Sequence, residues 1–199
     1  LSPRISLLYK HRRETQFRLT YSTGFRAPQA FDADLHISFA GGGISRVSLA
    51  PDLQEERSRS LSGSINYDRP TEQMIFGFTV EGFYTFLEGA FYQEAIGEDE
   101  FGERFEKRNG NGATVQGVSL ELRANYDRKL QVETGFTIQS SLFENSVENV
   151  EGLNAVPQFL RTPNEYGFLT LSIFPEKRFN TSINLVYTGE MLLTHFAGA

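Results

Sequence analysis

The chain has 199 residues, with eighteen Phe, eight Tyr and eighteen Gly against no Cys and no Trp, and a formal net charge of -6. Without Cys there is no disulfide framework, thiolate metal site or thiolate nucleophile, and the basic residues, scattered among acids, lack the footprint of a nucleic-acid binder. No run of about 18 apolar residues is present, which excludes a spanning helix but not a membrane, because a transmembrane barrel alternates apolar and polar residues at ordinary mean hydropathy.

Aromatic, Gly-rich and turn-rich composition favours strands. In chain order, Ile5, Leu7 and Tyr9 pair with Phe17, Leu19 and Tyr21 across a short turn at residues 11 to 15. A Gly-Phe-Arg-Ala-Pro turn, Gly24 to Pro28, then opens a long connection over 25 to 55. Gly24 gives the chain dihedral freedom to leave the strand, and Pro28 biases Ala27 toward an extended conformation and withholds a ladder donor, so the strand stops there. Leu61, Gly63, Ile65 and Tyr67 alternate with Ser60, Ser62, Ser64 and Asn66. After a turn at 68 to 71, Met74, Phe76, Phe78, Val80, Gly82, Tyr84 and Phe86 alternate with polar residues, which makes a hairpin. The same pattern returns in Val118 to Tyr126 and Leu130 to Leu142 about residues 127 to 129. It returns again in Gly167 to Ile173 and Phe179 to Tyr187 about 175 to 177. Eight antiparallel strands result, with long connections at 25 to 55, 88 to 112 and 144 to 162.

Three regularities bear on the fold. The apolar face of each strand carries no Asp, Glu, Lys or Arg except at strand ends. Tyr9, Phe17, Tyr67, Tyr126 and Phe179 lie beside the short turns, while Tyr21, Tyr84, Phe86 and Tyr187 lie at the far ends, and aliphatic residues dominate between, with Phe76, Phe78 and Phe136 as mid-band exceptions. Rings at both rims of an aliphatic band are expected where the face meets lipid. Short and long connections also alternate strictly, as in outer-membrane barrels with short turns on one side and long loops on the other. The alternative from another class is a soluble β-sandwich, a carbohydrate- or ligand-binding module whose long loops form the site.

The stretch YSTGFRAPQAFD, followed by PDLQEERSRSLSGSINY, resembles the barrel signature of the TonB-dependent outer-membrane receptors. Asp52, Leu53, Glu56 and Ser58 match the family's returning motif, with Glu55 standing where the family has Pro. Gly117 to Leu122 is similar to a Gly-Val-Glu-Leu-Glu strand, with Ser119 in place of an acid, and Tyr187-Thr188-Gly189 to a late strand end. The resemblance implies an all-β antiparallel meander of about eight strands, a segment of a 22-stranded transmembrane barrel with a plugged lumen. Residues 1–199 are then one partial barrel domain, roughly strands 12 to 19, with the plug domain and the last strands outside it. The start LSPRIS also lacks the basic start and apolar core of a signal peptide, as a processed or internal segment would. The implied location is the cell outer membrane. The implied partners are outer-membrane lipid, a small-molecule nutrient or metal chelate, and TonB acting through the plug. The implied substrate classes are ferric siderophore, haem, cobalamin and glycan.

Catalytic signals are absent. His11, His36 and His195 are far apart and no nucleophile elbow is present, so no enzyme and no cofactor is expected. The acidic run 94 to 106 reads as a solvated loop, and Gly41-Gly42-Gly43 and Asn109-Gly110-Asn111-Gly112 read as loop turns. Arg26, His36, Arg46, Tyr92 and Arg161 are the loop candidates for gripping a metal chelate or cobalamin-like ligand. Arg26 has a second, structural reading, pairing with lumen or loop carboxylates while Phe25 and Phe31 pack under the loop.

Overall fold

The computed structural model describes residues 2–28, 46–99, 102–147, 155–176 and 179–193. Strands β1 (Arg4–Lys10) and β2 (Thr15–Arg26) form a first hairpin, and the short β3 (Arg46–Leu49) follows. A second hairpin joins β4 (Glu56–Pro70) to β5 (Met74–Glu88), and β6 (Phe91–Asp99) and β7 (Gly102–Asn109) pair beyond it. The third hairpin is β8 (Gly112–Tyr126) with β9 (Leu130–Val147), and after a short β10 (Val156–Gln158) the fourth is β11 (Glu165–Glu176) with β12 (Phe179–Thr188).

The main sheet runs β1-β2-β4-β5-β8-β9-β11-β12 with β10 on β9, and every neighbouring pair is antiparallel. A separate three-stranded sheet runs β3-β7-β6. The eight strands read from period-two alternation are thus the eight of the main path. The long connections differ from their expected form. Residues 88 to 112 carry β6 and β7, where turn-forming Gly and clustered acids had suggested a loop, because the two segments satisfy each other's backbone groups. The strands also run further toward the long connections than the apolar alternation does. In particular, β2 continues to Arg26, and Gly24 lies inside it opposite Ser58 with no positive φ. Its use is room: a Cβ there would stand 2.8 Å from Ser58 Oγ.

One register row crosses all eight main strands: Tyr9, Phe17, Ile65, Val80, Leu120, Phe136, Gly167, Tyr187. It contains no charge. It starts beside a short turn and ends at the long-loop rim, so strands perpendicular to it are inclined to the band of apolar side chains, as barrel closure requires. Aromatic contacts fill it where glycine leaves a gap: Phe136 and Tyr187 stack at 6.2 Å across Gly167. Among the described residues no second layer covers this face. Ile5, Leu7, Val118, Ile138 and Leu185 are all more than half exposed, and the buried apolar residues among those described are only Ala50, Ala90, Ala113 and Val147. A sandwich would bury that stripe against a partner sheet, so the soluble alternative is not the arrangement found.

The opposite face is polar and paired within itself. Hydroxyls meet across strands at Ser6–Thr20 (3.0 Å), Ser60–Thr85 (2.8 Å) and Ser119–Thr137 (2.8 Å), each such pair contributing about 0.2–1 kcal/mol. Nearer the short turns, Arg123 of β8 reaches over β5, donating to Asp68 Oδ1 from Nε (2.9 Å) and Nη2 (2.7 Å), to Thr79 Oγ1 (3.0 Å) and to Asn66 Oδ1. Gly77 makes that bridge possible, because a Cβ there would lie 2.2 Å from Asp68 Oδ1.

Two outcomes follow for the full-length protein, read by heat-modifiable electrophoretic mobility. Leu120→Arg and Ile183→Arg each place a cation in the apolar band, at a cost of about 2–4 kcal/mol, and the folded fraction falls. Gly77→Ala forces Asp68 or Arg123 aside, and the melting temperature of the folded form drops by an amount matching about 1–3 kcal/mol.

Candidate functional site

The β3-β7-β6 sheet stands at the long-loop end and is fastened on one side through a ring. Phe91, the first residue of β6, has Lys107 Nζ at 4.8 Å and Arg26 Cζ at 5.6 Å from its centroid. Lys107 is buried, at 1% exposure. The Phe91 N–H donates to Glu56 Oε2 at 2.9 Å, and Glu56 pairs in register with Arg26. Cations over a ring contribute about 0.5–2 kcal/mol, most when desolvated. A buried ammonium is costly unless its surroundings supply negative charge or π density, and here the cations, Glu56 and the ring lie together.

Asn109 closes the other side. Its amide behaves as a strand in miniature, Oδ1 accepting from Gln54 N–H (2.8 Å) while Nδ2 donates to Gln54 O (3.1 Å) and to Gly89 O (2.8 Å). Gly89 adopts φ +64, the left-handed conformation that glycine favours, which turns its carbonyl into this contact. One side chain therefore ties the connection before β4, the β5–β6 turn and the end of β7.

Between this sheet and the tops of β8 and β9 lies a cavity of about 620 Å³, within the roughly 300–1,000 Å³ of small-ligand sites. Tyr92 and Phe143 give it two ring faces, Asn111, Asn145 and Ser146 supply exposed donors and acceptors, and Gly110 forms part of its floor. Glu94, the charged lining group among the described residues, has Oε2 2.9 Å from Arg108 Nη1 without hydrogen-bond alignment, and Arg108 Nε donates to Glu106 Oε2 at 2.6 Å. Burial, and then the charge of Glu94, push the Tyr92 phenol above its ordinary value, so it stays protonated and able to donate at physiological pH.

Of the five residues proposed from sequence, Tyr92 lines this cavity. Arg26 has its Cζ over the Phe91 ring, and consecutive residues Phe91 and Tyr92 point to opposite faces of β6. Arg161 sits at φ +55 before β11, its N–H donating to Leu192 O at 2.7 Å. Arg46 opens β3 opposite Arg104, its side chain outside the described residues, and His36, Phe31 and Gly41 to Gly43 also lie outside them. Phe25, expected under the loop, is 63% exposed on the apolar face. Sequence reasoning missed Glu94, Arg108, Phe143 and Asn145. Phe105 and Lys107 share one side of β7 and Glu106 and Arg108 the other, so no alternation of polarity marks that strand in the acidic run. Among the described residues no group of three His, Asp or Glu is placed to hold a metal ion.

Asn109→Ala removes three hydrogen bonds and leaves the Gln54 and Gly89 backbone groups to water, a loss of about 1–3 kcal/mol. Hydrogen exchange of the full-length protein should quicken at residues 50–56 and 89–92, with no change in β8 or β9 below the cavity.

A family model described as TonB dependent receptor-like, beta-barrel, matches residues 1–195. Among solved structures, the siderophore receptor PirA from Pseudomonas aeruginosa is similar at TM-score 0.63 and 14% identity over 92% of this chain and 32% of that one. The ferric-catecholate import receptor Fiu from E. coli K12 gives TM-score 0.60 and 14% identity over 94% and 24%. The FrpB iron transporter from Neisseria meningitidis, F3-3 variant, gives 0.58 and 15% over 92% and 25%. At such identities the likeness is one of fold, and the chain spans between 24% and 32% of the length of these three. A comparison with curated proteins found no match. An uncharged outward band, a polar inner face, alternating turn lengths and a match over residues 1–195 lead to one assignment: the chain belongs to the TonB-dependent receptor β-barrel family of the outer membrane.

Proposed function

We propose that this chain is part of the wall and mouth of an energised importer, which captures a scarce small-molecule nutrient or metal chelate outside the cell and passes it inward with TonB acting through a plug. The observation that carries the reading is the cavity beside Tyr92, held by a pinned sheet directly above a polar inner wall. A rigid platform loses little ordering entropy on binding, and its two rings and exposed Asn side chains suit a ligand with flat apolar faces and polar edges. Tyr92 is the first contact in this reading; His36, Arg46 and Arg161, nominated from the sequence, are further loop contacts to test, and Arg26 serves the sheet through Phe91. The similar solved structures are named for iron, a siderophore or a ferric catecholate, which makes iron chelates the substrate class to try first. The role is that of a transporter and not of an enzyme.

The test uses cells whose only receptor for the tested chelates is the full-length protein, supplied with a panel of radio-iron chelates under iron restriction. At least one chelate should accumulate, and accumulation should stop on deletion of TonB or collapse of the proton gradient. Tyr92→Ala with Phe143→Ala should raise the concentration for half-maximal uptake about tenfold, the equivalent of about 1.4 kcal/mol, at unchanged receptor level. Uptake that persists without TonB, or that ignores the double substitution, rejects the reading.

A further inference from the structure

The cavity at the mouth carries a charge asymmetry that its shape does not require. Among the described residues lining it, Glu94 is charged and no Lys or Arg joins it. Its other polar side chains are neutral amides, a hydroxyl and a phenol.

The sheet explains why that carboxylate is poorly compensated. Tyr92 and Glu94 are two residues apart on β6, so they share one face about 7 Å apart along the strand. Across the ladder, Arg108 stands opposite Tyr92 and Glu106 opposite Glu94. Like charges directly across an antiparallel pair repel, and one guanidinium serves both carboxylates. Its firmer bond is to Glu106, whose side chain is only 17% exposed, with Nε donating to Oε2 at 2.6 Å. Glu94 receives the unaligned Nη1 contact on Oε2, and its Oε1 accepts no hydrogen bond from the described residues. Two carboxylates and one guanidinium leave this trio at -1. Arg104, the next cation on this face of β7, is four residues from Arg108, about 13 Å along the strand and away from Tyr92.

The rest of the cavity leans the same way. At the Tyr92 phenol, burial is the largest cause of the upward shift, and next comes the charge of Glu94, which outweighs that of Arg108. Gly112, also in the wall, lies beside a second acid: a Cβ there would stand 2.9 Å from Glu144 Oε2. Phe143 presents a ring backed by Phe159, at 4.3 Å between centroids. Ring faces and an under-bonded carboxylate attract the same kind of group, a cation. An ammonium bonded to Glu94 Oε1 lies within reach of the Tyr92 ring, because about 7 Å separates their strand positions and a cation is held within about 6 Å of a ring centroid.

We infer that Glu94 sets the specificity of this cavity, and that the chelate it takes carries an ammonium arm in preference to an anionic complex. The inference rests on the importer reading above and narrows its substrate class. The ammonium donates to the free oxygen of Glu94 and lies against Tyr92, while the amides of Asn111 and Asn145 meet the polar edges of the chelate. An anionic complex would meet Glu94 and Glu144 with no lining cation among the described residues to offset them. A Glu94 that only anchored Arg108 would be indifferent to the charge of the ligand.

The test is equilibrium binding of ferric chelates to the purified full-length receptor, in matched pairs with a terminal amine free or acetylated. One pair is ferric desferrioxamine B and its N-acetyl derivative, and the other is a ferric tris-catecholate bearing an amino or an acetamido arm. Wild type should bind the amine member about tenfold more tightly, equivalent to about 1.4 kcal/mol. Glu94→Gln keeps the shape of the side chain and should bring the two members together by weakening the amine form alone. Glu106→Gln, outside the wall, releases Arg108 to pair fully with Glu94 and should also shrink the preference, which gives a second arm if Glu94→Gln does not fold. Heat-modifiable mobility establishes the folded state of each variant. Equal affinities within each pair in wild type, or a preference that survives either substitution in a folded receptor, overturns the inference and leaves TonB-dependent chelate uptake standing. A receptor that binds no member of either pair and imports no iron chelate overturns both together, and one that imports only chelates without an ammonium overturns the inference alone.

Discussion

A strand in hydrocarbon has nowhere to send its backbone N–H and C=O groups except to another strand. That demand shapes everything else in this chain. It makes the ladder continuous from β1 to β12, leaves each strand one face toward lipid and one toward water, and confines irregular backbone to the two ends. The side chains follow. Charge is absent from the middle of the outward face, and hydroxyls pair across the inward one.

A protein built this way has almost no interior of its own. The buried apolar residues among those described are three alanines and one valine, and stability is spread over cross-strand pairs and the surrounding lipid instead of being concentrated in a core. The exception is the small sheet at the mouth. It sits in water, where the lipid argument fails, and it is held by devices common in soluble proteins: a ring with two cations, a carboxylate accepting a backbone N–H, and an asparagine amide imitating a ladder rung.

This division explains what could be read from the sequence. Period-two alternation is strict wherever the two faces of a strand meet different solvents, so the eight main strands, their apolar face and their short turns were visible in Leu61 to Tyr67 or Val118 to Tyr126. The mouth sheet was not, because both of its faces meet protein or water and no contrast in polarity marks the alternation. Lys107 shows the difficulty well. It occupies an inward position of β7 as a buried cation, where any pattern reader expects a hydrophobe. Tyr92 could be nominated because aromatics in long connections are conspicuous. Its partner Phe143 and the amides of Asn111 and Asn145 come from other strands and turns, and only folding brings them together. The glycines of the outward face had the opposite fate. Gly63 and Gly82 read as ordinary members of apolar strands, and only the open space around them separates them from glycines that sterics require.

The unbroken register row from Tyr9 to Tyr187 has a consequence for how such a protein changes over time. Adding a single residue inside β4 would turn Ser60, Ser62 and Ser64 into the oil and tuck Leu61 and Ile65 into the channel, and the neighbours on either side would have to slip with it. Insertions and deletions are thereby filtered out of the wall and allowed to accumulate at the rim. A lineage can keep one wall and refit its rim again and again.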